Sequence, residues 1–180
     1  MKLSVIIPCF NAAATIGVQL QALAEQECSE AWEIVLADNG STDNTVEIIK
    51  QYQQHMQSLR LVYADSIQGA GYARNIAANA ATGEALAFCD ADDQVGEGWV
   101  KAMIESLSEQ EFVAGSNDYS RLNEMWAIES CKYRELNGVK EFPYFPYSAT
   151  NNLGIKRSIH NAIGGFDPQM LLLEDIDYCW

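Results

Sequence analysis

The sequence predicts an α/β fold in which a mainly parallel β-sheet is flanked by helices on both faces. Short apolar runs alternate with helical patterns across residues 1–110, and this alternation is typical of parallel strands joined by right-handed crossovers. The 180 residues are enough for one domain with a sizeable core and too few for two large ones. We therefore expect a single domain.

Four apolar runs have the length and composition of buried strands. They are Leu3–Pro8, Glu33–Ala37, Leu59–Ala64 and Ala85–Cys89. A further short strand is expected within "ATNNLGIKRS", ahead of a helix through Ile159 and Ile163 that Gly164 ends. The strands provide the frame on which the helices are placed.

Helices are predicted between these strands from the spacing of apolar residues. Asn44 followed by Glu47 predicts a capping box at the start of the helix after the second strand. An alanine-rich helix is expected from Ala70 to Thr82, with Gly83 as its stop. The helix after the second strand is indicated by apolar residues at Ile49, Tyr52, Met56 and Leu59. A later helix is indicated by Trp99, Val100, Met103, Ile104 and Leu107.

The overall charge argues against nucleic acid as a partner. The formal net charge is −14, from 11 basic and 25 acidic residues, so the surface repels the phosphates of nucleic acids. It repels anionic lipid in the same way, unless a local basic patch meets the membrane. Five cysteines show neither a C-x-x-C pair nor zinc spacing, which favours reduced thiols in a cytoplasmic protein. Both histidines, His55 and His160, are expected at the surface, whereas Trp126 and Trp180 are expected to be buried.

Polar side chains follow each of the four strands. They are Asn11 after the first, Asp38 and Asn39 after the second, Asp65 after the third and Asp90 after the fourth. In an open parallel sheet all these positions lie at one edge, where ligands of such sheets bind. The stretch "FCDADDQ" also places Asp92 and Asp93 there. Three neighbouring carboxylates indicate either a divalent cation site or a well-solvated loop.

Four stretches of the chain resemble the family-2 glycosyltransferases, which are inverting enzymes with the Rossmann-like GT-A nucleotide-diphospho-sugar transferase fold. The stretches are "SVIIPCFN", "EIVLADNGSTDNT", "GAGYARNIAANAATGEALAFCDADD" and "GGFDPQMLLLEDIDYCW". They stand in the family's order and spacing and cover most of the chain outside about 110–148. The resemblance implies one GT-A domain over 1–180, with a donor half (1–110) and a partial acceptor half (111–180) that is short for the family at its C-terminal end.

The resemblance assigns the nucleotide to the loops after the first two strands. It implies that Pro8, Phe10 and Asn11 hold the base and ribose, and that Asp38 accepts a hydrogen bond from a base N–H. For Asp38 a purely structural role in a turn or helix cap is the alternative.

Two residues of "GAGYARN" are assigned to the diphosphate region. Gly71 lies near a helix start, where a missing side chain permits close backbone approach and free N–H groups favour anions. Arg74 is one of few cations at this edge. It either helps to hold the diphosphate or pins the acidic loop through a salt bridge.

The resemblance identifies "DADD" as a D-x-D motif that binds Mn²⁺ or Mg²⁺ together with the donor diphosphate. Asp92 is the first candidate ligand and Asp93 the next, while Asp90 bonds the ribose or orients the loop. Hard cations prefer oxygen ligands and are often held by one or two carboxylates plus substrate phosphates.

The family's catalytic base is the aspartate of an E-D pair, which corresponds to Asp175. A carboxylate on the acceptor side removes the proton of the attacking hydroxyl. Glu174 and Asp177 are expected to raise the pKa of Asp175 by like-charge repulsion. The structural alternative is a helix N-terminus that carries acids favoured by the dipole.

The resemblance thus implies metal-dependent, inverting transfer of a sugar from a nucleoside-diphosphate sugar to a hydroxyl of a polysaccharide, glycolipid or protein-linked glycan. UDP is the default donor nucleotide. The expected location is the cytoplasm, with peripheral association at the inner face of the membrane left open. The alternative is a donor-binding domain without turnover. A nucleotidyltransferase is disfavoured, because no glycine-rich loop with a basic residue follows the first strand.

Overall fold

A single six-stranded sheet forms the centre of the molecule. The computed structural model describes residues 1–131 and 145–180. The strand order is β3-β2-β1-β4-β6-β5; β1 to β4 are parallel, and β6 runs antiparallel to both β4 and β5. The strands are β1 (Leu3–Cys9), β2 (Trp32–Asp38), β3 (Leu59–Tyr63), β4 (Ala85–Cys89), β5 (Phe112–Ala114) and β6 (Asn152–Lys156).

Seven helices accompany the sheet in the described part of the chain. They are α1 (Ile16–Ala24), α2 (Thr45–Gln53), α3 (Ala70–Ala80), α4 (Trp99–Glu109), α5 (Met125–Cys131), α6 (Arg157–Ile163) and α7 (Glu174–Cys179). Within the described residues, none of them has the length and apolar character needed to cross a bilayer.

Alternate side chains of the strands build a core on each face of the sheet. Val5 and Ile7 of β1 pack with apolar residues of α1, α2 and α4. Ile6, between them, belongs to the opposite core with alanines of α3 and with Tyr178 of α7. Because successive side chains of a strand point to opposite faces, helices cover both sides. The predicted α/β fold, a mainly parallel sheet flanked by helices on both faces, is confirmed.

The predicted strands are confirmed, with ends shifted by at most one residue, but three details of the helices are wrong. α2 ends at Gln53, so Met56 lies in the following turn and Leu59 begins β3. The Asn44 side chain makes no capping hydrogen bond. Instead, the carboxylate of Asp43 accepts from the Thr45 N–H at 3.0 Å.

The third detail is the end of α3, which comes before the predicted glycine stop. The helix ends at Ala80, because the N–H and hydroxyl of Thr82 donate to the buried carboxylate of Glu33, each at 2.6 Å. Gly83 serves close packing, since a Cβ there would lie 2.7 Å from the backbone nitrogen of Ser4.

Two predictions about burial are wrong. His160 is buried, and its Nδ1 is 2.7 Å from the Tyr178 hydroxyl; only His55 lies at the surface as expected. Trp126 and Trp180 are exposed rather than buried, at 71% and 53%. The left-handed Gly164 ends α6, as predicted.

Candidate functional site

The carboxyl ends of β1 and β4 border a cavity of about 680 Å³. β1 lies at the centre of the sheet, with β2 on one side and β4 on the other, so this is the point where an open α/β sheet forms a ligand crevice. Six of the predicted site residues line the cavity: Pro8, Phe10, Asn11, Arg74, Asp90 and Asp92. The other four, Asp38, Gly71, Asp93 and Asp175, do not line it.

The loop after β1 is held by the loop after β2. The Asn11 N–H donates to the Ser41 hydroxyl at 2.9 Å, and the Asn11 side-chain oxygen accepts from the Thr42 N–H at 2.8 Å. Asn11 has a left-handed backbone (φ 48°), a conformation that asparagine tolerates better than most residues. Next to it the ring of Phe10 remains 54% exposed at the cavity. The local backbone therefore leaves an aromatic surface available to a ligand.

Asp38 has the contacts of a turn residue. Its buried carboxylate accepts from the Ser41 N–H at 3.3 and 3.4 Å. This is the structural role that the sequence left open; the nucleotide contact of Asp38 stays a prediction.

Asn39, which the sequence placed at the ligand edge without a specific role, organises the loop after β3 that borders the cavity. Its amide group donates to the carbonyls of Ala64 and Ile67, and its side-chain oxygen accepts from the Gly69 N–H at 2.9 Å. An aspartate at this position could accept the last bond but could not donate the first two. The Asn39 side chain therefore ties the segment from Ala64 to Gly69 to the end of β2.

Arg74 links the acidic turn after β4, which consists of residues 90–93, to α7. The guanidinium group is buried and lies 2.8 Å from the Asp90 carboxylate and 3.0 Å from that of Glu174. Its central carbon is 5.5 Å from the ring centre of Phe166. Of the two roles left open for Arg74, the structure shows the salt bridge. Since Arg74 also lines the cavity, contact with a diphosphate stays a prediction.

Gly71 allows α3 to approach the segment that leads into α7. A Cβ at this position would lie 3.1 Å from the Cβ of Phe166 and 3.6 Å from the Cγ of Glu174. The missing side chain thus serves helix packing, and a backbone contact of Gly71 with a ligand stays a prediction.

Gln19 on α1 holds the backbone of the acidic turn through hydrogen bonds. This residue was not identified from the sequence. Its fully buried amide donates to the Asp90 carbonyl at 3.1 Å and accepts from the Val95 N–H at 2.9 Å. The available signal was a glutamine between the apolar residues Ile16 and Leu20 on one helix face. A buried amide of this kind is kept for its hydrogen bonds.

The acidic turn presents its carboxylates in two directions. Asp92 is exposed and lines the cavity, whereas Asp93 lines only a neighbouring cavity. Burial, followed by the charge of Asp90, raises the pKa of Asp93 to about 6 despite a hydrogen bond from Asn151. The two aspartates are therefore not equivalent.

The carboxylate oxygens of this turn are of the kind that a hard cation such as Mn²⁺ or Mg²⁺ prefers as ligands. Within residues 1–131 and 145–180, no three His, Cys, Asp or Glu side chains gather as a metal site. An ion here would have one or two carboxylate ligands, of which Asp92 is the first candidate. Its remaining oxygen ligands would come from a bound diphosphate or from water. This arrangement is common for Mg²⁺ at phosphate substrates.

Asp175 is half-buried in the first turn of α7 and lines neither cavity. Burial raises its pKa; the Ile176 N–H, 2.9 Å from its Oδ1, opposes the rise, and the charge of Glu174 adds to it. The predicted contribution of Glu174 is confirmed, although burial is the larger cause. Asp177, the other expected contributor, is exposed.

α7 is held against the sheet by aromatic side chains. The ring of Tyr178 stacks on that of Phe166, with centroids 3.9 Å apart and planes 9° from parallel. The Tyr178 hydroxyl also contacts His160. These contacts fix the helix that carries Glu174 at the cavity and Asp175 beside it.

Two curated relatives show the extent of the similarity to known proteins. The uncharacterized glycosyltransferase YibD of Escherichia coli is 44% identical over 94 residues, which cover 52% of this chain and 27% of that protein. The glycosyltransferase AglE of Haloferax volcanii is 26% identical over 179 residues, which cover 97% of this chain and 59% of that protein. The chain thus spans between about a quarter and three fifths of the length of these relatives.

Solved structures share the whole fold. Residues 1–349 of S. aureus TarS superimpose with a TM-score of 0.77 at 24% identity, covering 99% of this chain and 54% of that one. The complex of the same protein with UDP gives 0.74 at 25% identity, with 97% and 53% covered. The mannosyltransferase PcManGT of Pyrobaculum calidifontis, in complex with GDP-Man and Mn²⁺, gives 0.71 at 21% identity, with 93% and 48% covered.

The match of a family model agrees with the fold and with the cavity at the carboxyl edge. The model for glycosyl transferase family 2 matches residues 4–167, from β1 to the segment before α7. This chain therefore belongs to glycosyl transferase family 2 and has the GT-A fold.

Proposed function

We propose that this chain binds a nucleoside-diphosphate sugar and transfers the sugar, with inversion, to a hydroxyl group of a glycan or lipid acceptor. The observation that carries the proposal is the cavity at the carboxyl edge, where the loop after β1, the acidic turn and Glu174 of α7 meet. Relatives named as glycosyltransferases favour this enzyme over a donor-binding domain without turnover. The polysaccharide or lipid nature of the acceptor, and a location at the inner face of the membrane, stay predictions.

The nucleotide fits the part of the cavity formed by the loop after β1. Phe10 offers an exposed aromatic ring to a base, and Pro8 and Asn11 flank it. UDP remains the default nucleotide, and the complex of TarS with UDP supports this choice. GDP is the rival, because PcManGT binds GDP-Man.

The negative charge of the cavity lining supports the proposal that a divalent metal ion accompanies the bound diphosphate. Arg74 is the only cationic side chain among the described residues that line it, and its guanidinium already pairs with Asp90 and Glu174. Together with Asp92, the lining carries three carboxylates against one cation. A diphosphate entering this environment would be repelled unless another positive charge came with it.

A divalent ion would supply that charge and, as a Lewis acid, would stabilise the departing nucleoside diphosphate. Asp92 would hold it, with Asp93 as the second candidate, while Asp90 stays tied to Arg74. Mn²⁺ in the PcManGT complex supports Mn²⁺ as the first ion to test, with Mg²⁺ next.

Asp175 takes the proton of the acceptor hydroxyl in this proposal. Its raised pKa makes it a stronger base than an exposed aspartate, which suits a general base working near neutral pH. Arg74 and the Tyr178–Phe166 stack orient it by holding α7.

The test is the substitution Asp175→Asn. We expect release of nucleoside diphosphate from the sugar donor to fall by about 10²–10⁴-fold, because the amide cannot accept the proton, while nucleotide affinity stays within about twofold of the wild type. Asp177→Asn is the matched control, since Asp177 is an exposed aspartate on the same helix. Full transfer activity in Asp175→Asn would remove Asp175 from the mechanism.

A further inference from the structure

A second cavity, of about 660 Å³, opens at the same edge of the sheet. Asp92 lines both cavities, so they adjoin at the acidic turn. Because β6 is antiparallel to β4 and β5, it begins at the edge where they end. This topology brings together Asp93 after β4, Asn117 after β5, and Asn151 and Asn152 at the start of β6.

A chain of hydrogen bonds crosses this cavity in one direction. The Trp99 indole N–H donates to the Asn152 oxygen at 2.9 Å, and the Asn152 amide donates to the Asn117 oxygen at 3.3 Å. The Asn117 amide donates to the Asn151 oxygen at 3.2 Å, and Asn151 is hydrogen-bonded to the Asp93 carboxylate. Aligned bonds of this kind polarise and strengthen one another, so the amides are held in fixed positions.

The amide chain has hydrogen-bonding capacity to spare. A primary amide has two N–H donors and two lone pairs on its oxygen, and the chain uses one of each on Asn117 and on Asn151. Both side chains are half-buried at the cavity. Neighbouring groups that can each donate and accept match the neighbouring hydroxyls of a sugar ring, which also do both. Trp99 and Tyr119 add aromatic surface to the same lining.

The charge of the cavity selects against anionic ligands. Its ionisable lining consists of four acids and one base: Asp92, Asp93, Glu97, Asp118 and Arg121. A uronic acid or a phosphorylated sugar would meet more negative than positive charge here, whereas a neutral sugar would not.

We propose that this second cavity binds an uncharged sugar ring, with Asn117 and Asn151 as its hydrogen-bonding residues. The inference rests on the proposed function, which brings a sugar to the metal end of the donor cavity beside Asp92. The ring is either the sugar attached to the donor diphosphate or a sugar of the acceptor. Both present the same hydroxyl chemistry, and the experiment separates them.

The experiment compares the wild type with the double variant Asn117→Ala/Asn151→Ala and with Asn161→Ala, an exposed asparagine on α6. Calorimetry with Mn²⁺ measures binding of UDP, GDP and dTDP, each alone and then carrying glucose or N-acetylglucosamine. Saturation-transfer NMR with the bare nucleotide present measures binding of maltose, cellobiose, lactose and glucuronic acid. Nucleotide affinity also reports whether each variant is folded.

Either of two results supports the proposal. A nucleotide sugar that binds at least about threefold tighter than the bare nucleotide, with the gain lost only in the double variant, identifies the donor sugar. Binding of a neutral disaccharide, but not of glucuronic acid, that is likewise lost only in the double variant identifies the acceptor.

Three results would overturn it. The first is intact nucleotide binding without any gain in affinity from an attached neutral sugar and without binding of a free neutral sugar. That result would not count against the proposed nucleotide site. The second is a sugar contribution that survives in the double variant. The third is binding of glucuronic acid as strong as that of the neutral disaccharides. Failure of every nucleotide to bind would instead count against the proposed function. If a neutral sugar still bound in that case, and its binding was lost in the double variant, the proposal for the second cavity would still hold.

Discussion

Arg74 illustrates how one side chain organises two parts of the site. It sits on α3, yet its guanidinium holds Asp90 at the end of β4 and Glu174 at the start of α7. Burial makes the arrangement costly to disturb, because removing one member of a buried ion pair leaves an uncompensated charge. The acidic turn and the helix of the proposed base are therefore coupled through one residue.

At the opposite edge of the sheet, Glu33 provides a prediction about acid stability. Its carboxylate is buried, which raises its pKa, but hydrogen bonds from Thr82, Ser4 and Arg60 outweigh burial and lower the pKa to about 2. A depressed pKa contributes stability above the unfolded value of about 4.5, and that stability is lost as the pH falls through 2. Glu33→Gln should cost on the order of 2–3 kcal/mol at pH 7.

The measurement is urea unfolding of the wild type and the variant at pH 7, 5 and 3. The difference between them should shrink as the pH falls, since the wild type itself loses this contribution. Glu109→Gln, at an exposed position on α4, is the control. An equal loss at all three pH values would show that packing, and not the charge of Glu33, stabilises this edge.

Residues whose chemistry is visible locally were the ones that the sequence could predict. Three carboxylates directly after an apolar run indicated the acidic turn, and the structure places Asp90 and Asp92 at the cavity. Gln19 and Asn39 could not be assigned in this way. Their hydrogen-bond partners lie at Val95 and Gly69, and sequence spacing does not reveal contacts that only folding creates.

At the scale of the elements, α7 is a helix that depends on tertiary contacts for its stability. It has six residues, too few for a helix to be stable by itself in water. Tyr178→Phe keeps the ring that stacks on Phe166 but removes the hydroxyl that meets His160. We expect a loss of about 1–3 kcal/mol in unfolding free energy, because a buried histidine nitrogen loses its partner. Denaturant unfolding measures it.

The same variant should slow donor turnover more than it weakens nucleotide binding, because α7 carries Asp175, the proposed base, while the loops proposed to bind the nucleotide follow β1 and β2. Tyr63→Phe, at an exposed tyrosine on β3, controls for the loss of a hydroxyl. Unchanged stability and turnover in Tyr178→Phe would mean that the ring stack alone holds the helix.

Continuous apolar runs predicted the bounds of strands well, whereas helical spacing and very short strands were less informative. β4 has the bounds that its apolar run predicted. β5 has three half-buried residues, too few to show a period. The apolar spacing that predicted a helix over Ile49 to Leu59 runs past the end of α2, because the same residues continue into the core of the next turn and strand.

At the scale of the whole molecule, alternation of strands and helices predicted the parallel part of the sheet and its ligand edge. It did not predict that β6 enters antiparallel between β4 and β5. Only this reversal brings Asn151 and Asn152 beside the acidic turn. The cavity that we propose for the donor was therefore foreseeable from sequence as a crevice at the ligand edge, whereas the amide-lined cavity depends on a topology that local patterns do not contain.

Titration calorimetry of UDP, GDP and dTDP, with Mn²⁺ and again with EDTA, tests the proposed metal-dependent nucleotide site at the acidic turn. We expect one nucleotide to bind with Mn²⁺ and to bind at least about tenfold more weakly with EDTA, a difference of about 1.4 kcal/mol. Asp92→Asn should show the weaker affinity under both conditions. Equal affinity with and without metal, or no binding by the folded wild type, would show that the acidic turn is not a metal-dependent nucleotide site.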